Sequence, residues 1–191
     1  MSDNTKLSKI HAWVLTLGGL GGMIAMTWQA SERISMLKNP TAPLTCNLNP
    51  IIDCGSVLND KLAALFGFPN AFIGMIVFSM LLLSGLFLLT GTKISRSYAT
   101  IVVILSSILL GFSVWFFGVS LYVIQKICIF CLVGWIVSIP IFVYSLQQWL
   151  SLGTKSKKLK TFLTKNHLNI IFFVYLVMAM LYFLKFQEYY F

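Results

Sequence analysis

Acidic side chains are nearly missing from this chain of 191 residues: Asp and Glu together number five, and all charged residues amount to 10%. Histidine is limited to His11 and His167. There is no internal repeat, no low-complexity tract and no nucleotide or flavin motif, because Gly18-Gly19-Leu20-Gly21-Gly22 lies inside an apolar run rather than between a strand and a helix. With 58% hydrophobic residues and a mean hydropathy of +0.87, the shortage of charge excludes a soluble domain. The two histidines, far from the cysteines and near the inner ends of the chain's apolar runs, read as interfacial residues and supply no pair for haem or copper.

What the chain has in quantity is uncharged sequence. Reading between charged residues gives stretches at 10–31, 97–125, 127–154 and 166–184, and a fifth at 62–92 whose strongly apolar part starts near Ala71. Each is long enough to cross a hydrocarbon core of roughly 30 Å as a helix, which takes about 20 residues. The expectation is an all-α integral membrane protein with five transmembrane helices near 11–29, 71–91, 98–123, 127–149 and 168–186. An alternative for the first stretch is a cleaved signal peptide, but the bulky exit Met26-Thr27-Trp28-Gln29 argues for a retained helix.

The net charge of +9 reads as an orientation signal, with no nucleic acid implied. With the N-terminus inside, the inner segments hold Lys6, Lys9, Lys93, Arg96, Lys155, Lys157, Lys158, Lys160 and Lys165 against Asp3. The outer segments hold Arg33, Lys38, Lys61, Lys126 and Lys185 against Glu32, Asp53, Asp60 and Glu188. The excess inside predicts a cytoplasmic N-terminus and an outer C-terminus.

The stretch from Glu32 to about Asn70 is the one long non-membrane segment. In it Val57, Leu58, Leu62, Leu65 and Phe66 recur at helical spacing, which predicts a short helix lying in the membrane surface. Gly67-Phe68-Pro69-Asn70 reads as the turn into the second membrane helix, with Asn70 as its cap. The chain therefore divides into a four-helix membrane unit at 1–150, carrying the outer loop 32–70, and a unit at 151–191 with the inner basic loop and the fifth helix. No soluble domain is expected to follow that helix.

The chemistry rests on the four cysteines, Cys46, Cys54, Cys128 and Cys131. Cys128 and Cys131, three apart at the start of the fourth membrane helix, share a face and can close a disulfide. The free amides of a helix N-terminus lower a thiol pKa, and Lys126 is expected to help. Along the same face, Trp135 and then Phe142 predict an aromatic surface deeper in the membrane. Cys46 and Cys54 sit in an outer loop expected to be irregular enough for either thiol to move, within reach of Cys128. All four fall on the side where disulfides persist, which points to a relay. Two structural disulfides, a four-cysteine zinc site or inert thiols are the competing readings, the zinc site being a poor match in spacing. A relay needs an acceptor, and by exclusion that acceptor is dissolved in the bilayer; a quinone suits an aromatic pocket near Cys131.

These residues resemble the vitamin K epoxide reductase family, and within it the bacterial members that drive disulfide formation. The resemblance is carried by Cys46-x7-Cys54 followed by Gly55-Ser56-Val57-Leu58, by Phe66-Gly67-Phe68-Pro69-Asn70 leading to Gly74, and by Cys128-x2-Cys131 with Trp135, over about residues 10 to 150. It implies a four-helix bundle around a quinone (ubiquinone or menaquinone), to which the fifth helix is added. It implies Cys128 and Cys131 as the active-site pair, with Cys131 nearest the quinone and Asn70 hydrogen-bonding a quinone carbonyl. Cys46 would take electrons from a separate thioredoxin-fold, DsbA-like extracytoplasmic oxidase, and Cys54 would attack Cys128. Two departures stand out. Asp60 occupies a position where family members commonly carry Ser or Thr, and Trp135 stands where animal enzymes have tyrosine. Quinone reduction, rather than epoxide reduction, is the expectation. The disulfide-bond protein B family has similar chemistry but the reverse order of cysteine pairs. A multi-pass protein of the bacterial inner membrane, with its cysteines on the periplasmic side, follows. The competing class is a non-enzymatic membrane scaffold or transporter subunit with structural disulfides; its sign would be intramembrane charge, and none is seen between helix ends.

Overall fold

The computed structural model describes residues 2–40, 44–153 and 157–189. Lys155, part of the expected inner basic loop, and the terminal Phe191 lie outside them. The described residues form α1 (Ser2–Lys38), α2 (Cys54–Asn59), a 3-10 turn (Lys61–Ala64), α3 (Asn70–Leu89), α4 (Arg96–Val119), α5 (Ile129–Ser151) and α6 (Lys157–Phe186), closed by a second 3-10 turn at Gln187–Tyr189. Among them, five helices are long and apolar enough to cross a membrane, as the sequence predicts.

Two helices overrun their expected bounds. α1 continues from Gln29 to Lys38 because nothing between them breaks a helix; apolarity ends there, helix propensity does not, and the turn at Asn39-Pro40 stops it. α6 begins at Lys157 rather than near 168 for the same reason. The expected surface helix is broken in two. Asp60 accepts from the Leu62 amide at 2.8 Å and caps the 3-10 turn, so the apolar residues split: Val57 and Leu58 are buried while Leu65 and Phe66 are exposed.

α1 is the central post, packed along α3 and α5, with α4 on the far side of α5. Its glycines are contact points. A β-carbon on Gly19 would meet the Leu82 backbone at 2.6 Å, and one on Gly85 of α3 would meet the Thr16 amide at 2.5 Å. Close approach of two backbones, rather than phosphate binding, is the use of the glycine run; between membrane helices, small residues gain dispersion contact in this way.

α6 leans chiefly on α5, and one hydrogen bond explains where. Pro140 lies inside α5 and has no N–H to give the Ile136 carbonyl one turn back. The Tyr175 hydroxyl of α6 donates to that carbonyl at 2.7 Å, so a backbone group that lipid could not satisfy is satisfied across helices. Farther along α6, Phe186 is fully buried, whereas Leu168 and Phe172, before Tyr175, are exposed.

At the Ser2 end of the bundle, His11, near the start of the apolar part of α1, is buried and hydrogen-bonded to the Ser145 hydroxyl of α5 at 3.2 Å, so it is an interhelical contact instead of an interfacial residue. At the opposite end, α4 relaxes into a π-helical turn over Ser120–Ile124, and Gln125 adopts a left-handed backbone (φ 56°). This turns the chain back toward the membrane, where residues 126–128 lead into α5.

Candidate active site

The Cys46–Cys54 loop is more ordered than expected. Asn49 folds its tip, its side-chain oxygen accepting from the Ile51 and Ile52 amides at 2.9 and 2.7 Å. The Leu48 amide reaches back to the Ile52 carbonyl at 3.0 Å, and the Asn47 side chain accepts from the Gly55 amide at 3.1 Å. Cys46 and Cys54 form a disulfide with a Cα–Cα distance of 5.7 Å. Asp53 then caps α2, accepting from the Ser56 amide at 3.2 Å and from its hydroxyl. Burial raises the Asp53 carboxyl, but the Ser56 hydroxyl and amide, Lys126 and the Gly55 amide outweigh it and hold it below the usual carboxylate range.

This loop is stapled to the start of α5. Ile52 and Ile127 form a parallel bridge: the Ile127 amide donates to Ile51 at 2.9 Å and the Asp53 amide to Ile127 at 3.1 Å. The residue after Ile127 is Cys128, and the second after Ile52 is Cys54. Both thiol positions are fully buried in one cluster with Phe116, Phe117 and Trp135. Lys126, expected beside the thiolate, instead donates its ammonium to the Pro50 carbonyl and so pins the loop tip. Cys46 is also buried, at 3% exposure, so neither loop sulfur is at the surface.

Cys128 is the N-cap of α5 and Cys131 its third residue, both as free thiols. The thiolate form of Cys128 is favoured: a hydrogen bond from Cys131 lowers its pKa most, burial opposes, the Cys131 and Phe130 amides add to the lowering, and the Glu32 carboxylate works against it. Phe130, between the two thiols, stacks on Trp28 of α1 with centroids 6.0 Å apart, which fixes the start of α5 against α1.

Below Cys131 a cavity of about 220 Å³ opens between α1, α3, α4 and α5. Cys131, Trp135 and Asn70 all line it, with Gln29, Phe112 and Phe116. Trp135 is held edge-on by Phe117, their centroids 5.0 Å apart. Phe142, expected on this wall, is not among its lining residues; the other rings come from Phe66, Phe78 and α4, because a helix face seven residues farther on has left the pocket. Asn70 does not cap α3. It is the helix's first residue, and its side chain faces the loop instead: Nδ2 donates to the Leu62 carbonyl at 2.7 Å and Oδ1 accepts from the Leu65 amide at 3.1 Å. Its Nδ2 carries a second hydrogen beyond these two bonds. A second cavity of about 270 Å³ lies between α4, α5 and α6, across Trp135 and Ser113 from the first.

Two residues of this site escaped the sequence reading. Gln29 donates from Nε2 to Cys131 Sγ at 3.3 Å. Glu32, one turn on, is buried and accepts from the Thr45 amide at 3.4 Å, from the Thr45 hydroxyl and from Trp28 Nε1 at 3.4 Å, so it ties the residue before Cys46 to α1. The signal was available: Gly22, Met26 and Gln29 follow helical spacing down one face.

No individual curated protein matches the chain. The sequence model of the vitamin K epoxide reductase family matches residues 13–146, more than two thirds of the chain and a span that contains all four cysteines, Asn70 and Trp135; the chain belongs to that family, and is a multi-pass membrane thiol oxidoreductase.

Proposed function

We propose that this protein reoxidises a thioredoxin-fold, DsbA-like partner outside the cytoplasm of a bacterium and passes the electrons to a quinone of the inner membrane. The observation that carries the reading is the stapling of the two cysteine pairs: one parallel bridge holds Cys54 and Cys128 in a single buried cluster, and Cys131 opens from it into an apolar cavity.

The exchange balances as follows. A partner dithiol reduces the Cys46–Cys54 bond through a mixed disulfide on Cys46, leaving the partner oxidised. The Cys54 thiolate attacks Cys128 of an oxidised Cys128–Cys131 pair and releases Cys131 as a thiolate. Cys46 then displaces Cys128 from Cys54, which restores the loop disulfide and leaves the helical pair reduced. That distribution, loop oxidised and helix pair free, is the one observed here. The amides at the start of α5 and the Cys131 thiol stabilise the Cys128 sulfur as it leaves.

The cavity fits a quinone. Its walls are almost wholly apolar, an apolar cavity of about 150 Å³ holds benzene, and this one is larger. A bound quinone supplies an acceptor for two electrons and two protons, those lost when the Cys128–Cys131 bond forms. Trp135 and the phenylalanines would hold the ring, and the free amide hydrogen of Asn70 would orient a carbonyl. In this reading the N-terminus is cytoplasmic and the cysteines face the periplasm.

Purified protein mixed with a reduced thioredoxin-fold oxidase should bleach quinone absorbance, with the rate abolished in Cys131→Ala. Bleaching at the same rate in that variant would sink the proposal.

A further inference from the structure

Gln29 is 6% exposed and touches two things. Its Nε2 donates to the sulfur of Cys131 at 3.3 Å, and its side chain forms part of the wall of the first cavity. Its Oε1 is buried with no hydrogen-bond partner among the described residues. A buried amide oxygen without a donor carries an uncompensated loss of hydration. The cavity wall around it is almost entirely hydrocarbon, and neither Asn70 nor Ser113, polar side chains of the same wall, donates to it. The missing donor therefore belongs to the occupant of the cavity. An oxidised quinone ring offers only acceptors, whereas its hydroquinone offers two hydroxyl donors.

We propose that Gln29 is a catalytic residue that bridges the terminal thiol and the ring: its amide hydrogens hold the Cys131 sulfur, and its oxygen accepts from a hydroxyl of the hydroquinone. This rests on the quinone reading above. The two contacts serve different moments. The donor side steadies the Cys131 thiolate when Cys54 displaces it from Cys128. The acceptor side is empty toward the oxidised ring and filled once the ring carries its two added protons, so it favours the reduced product. Binding that strengthens along the reaction is the kind that accelerates it.

Gln29→Met keeps the length and removes both donor and acceptor. In Cys128→Ser protein reconstituted without quinone, alkylation of Cys131 by iodoacetamide at pH 8 should fall about fourfold in the Met variant. The attacking sulfur loses the donor that Gln29 supplies to it. Separately, decylubiquinol should raise the unfolding midpoint of the wild type more than decylubiquinone does, and in Gln29→Met that difference should vanish. Gln29→Asn, which withdraws the amide by one methylene and stays polar, should reproduce both losses if the Met variant fails to fold. An unchanged alkylation rate overturns the donor half, and a surviving preference for the hydroquinone overturns the acceptor half. A wild type stabilised by neither ring overturns the quinone reading itself, while the alkylation result still judges the contact to sulfur.

Discussion

The two cysteine pairs lie within one buried cluster yet are held by opposite means. Cys128 and Cys131 are fixed by helix geometry, with backbone amides aimed at the first sulfur and a side chain of another helix on the second. Cys46 and Cys54 are fixed by a loop whose order comes from a few short-range hydrogen bonds around Asn47 and Asn49. In the proposed relay the first pair is the stationary terminus and the second the one that deforms, because a loop loses only local contacts when it moves while a membrane helix carries its whole span.

The sharpest way to break that contrast is a single turnover without partner. Fully reduced Cys46→Ser/Cys54→Ser protein should still deliver one electron pair to added quinone, and Cys128→Ser/Cys131→Ser should deliver none, a difference of about 1,000-fold or more in initial rate. Equal behaviour of the two double variants, followed by stopped-flow absorbance, would make the pairs equivalent. Next in size is Asn49→Ala, which removes the acceptor for two backbone amides, worth about 1–3 kcal/mol together. Titration against glutathione should show the loop disulfide about tenfold easier to reduce while the potential of the helical pair stays put.

A gentler effect is a slope with pH. Cys128 has its folded pKa held below the ordinary thiol value, so its thiolate adds stability that is complete above the ordinary thiol range and is lost as pH falls through the lowered folded value. The unfolding midpoint of the reduced protein should decline over that window, and Cys128→Ser should flatten the decline. The smallest effect expected is from Tyr175→Phe, about 1 kcal/mol, since it strips the donor from the Ile136 carbonyl. Thermal unfolding would detect it, and an unmoved midpoint would mean that α6 rests on α5 by apolar contact alone.

The membrane spans and the placing of Cys128 and Cys131 at a helix start were legible because hydropathy and helix termini are local properties of the sequence. The vicinity of Asn70, Trp135 and Cys131 was carried by resemblance, not by spacing, since the three lie on two helices that no periodicity connects. Gln29 was hidden for the same reason: a lone amide at the end of an apolar run looks like an interfacial residue until α5 is laid beside it. Lys126 misled because proximity in sequence to Cys128 said nothing of the Pro50 carbonyl, which approaches from a loop some 75 residues earlier. Asp60, the departure from the family pattern, has a plain local use, the cap of a 3-10 turn.

The burial of the loop disulfide bears on fidelity. With Cys46 at 3% exposure and Cys54 at none, a small thiol diffusing past strikes sulfur only slowly. On the proposed function, the partner would reach the disulfide by pressing on the exposed rim at Leu48 and Thr45 and shifting the Thr45 contact to Glu32. On the proposed function the protein would then be an insulated wire: its current would leak little to stray reductants, and the insulation would be stripped where the partner is seated.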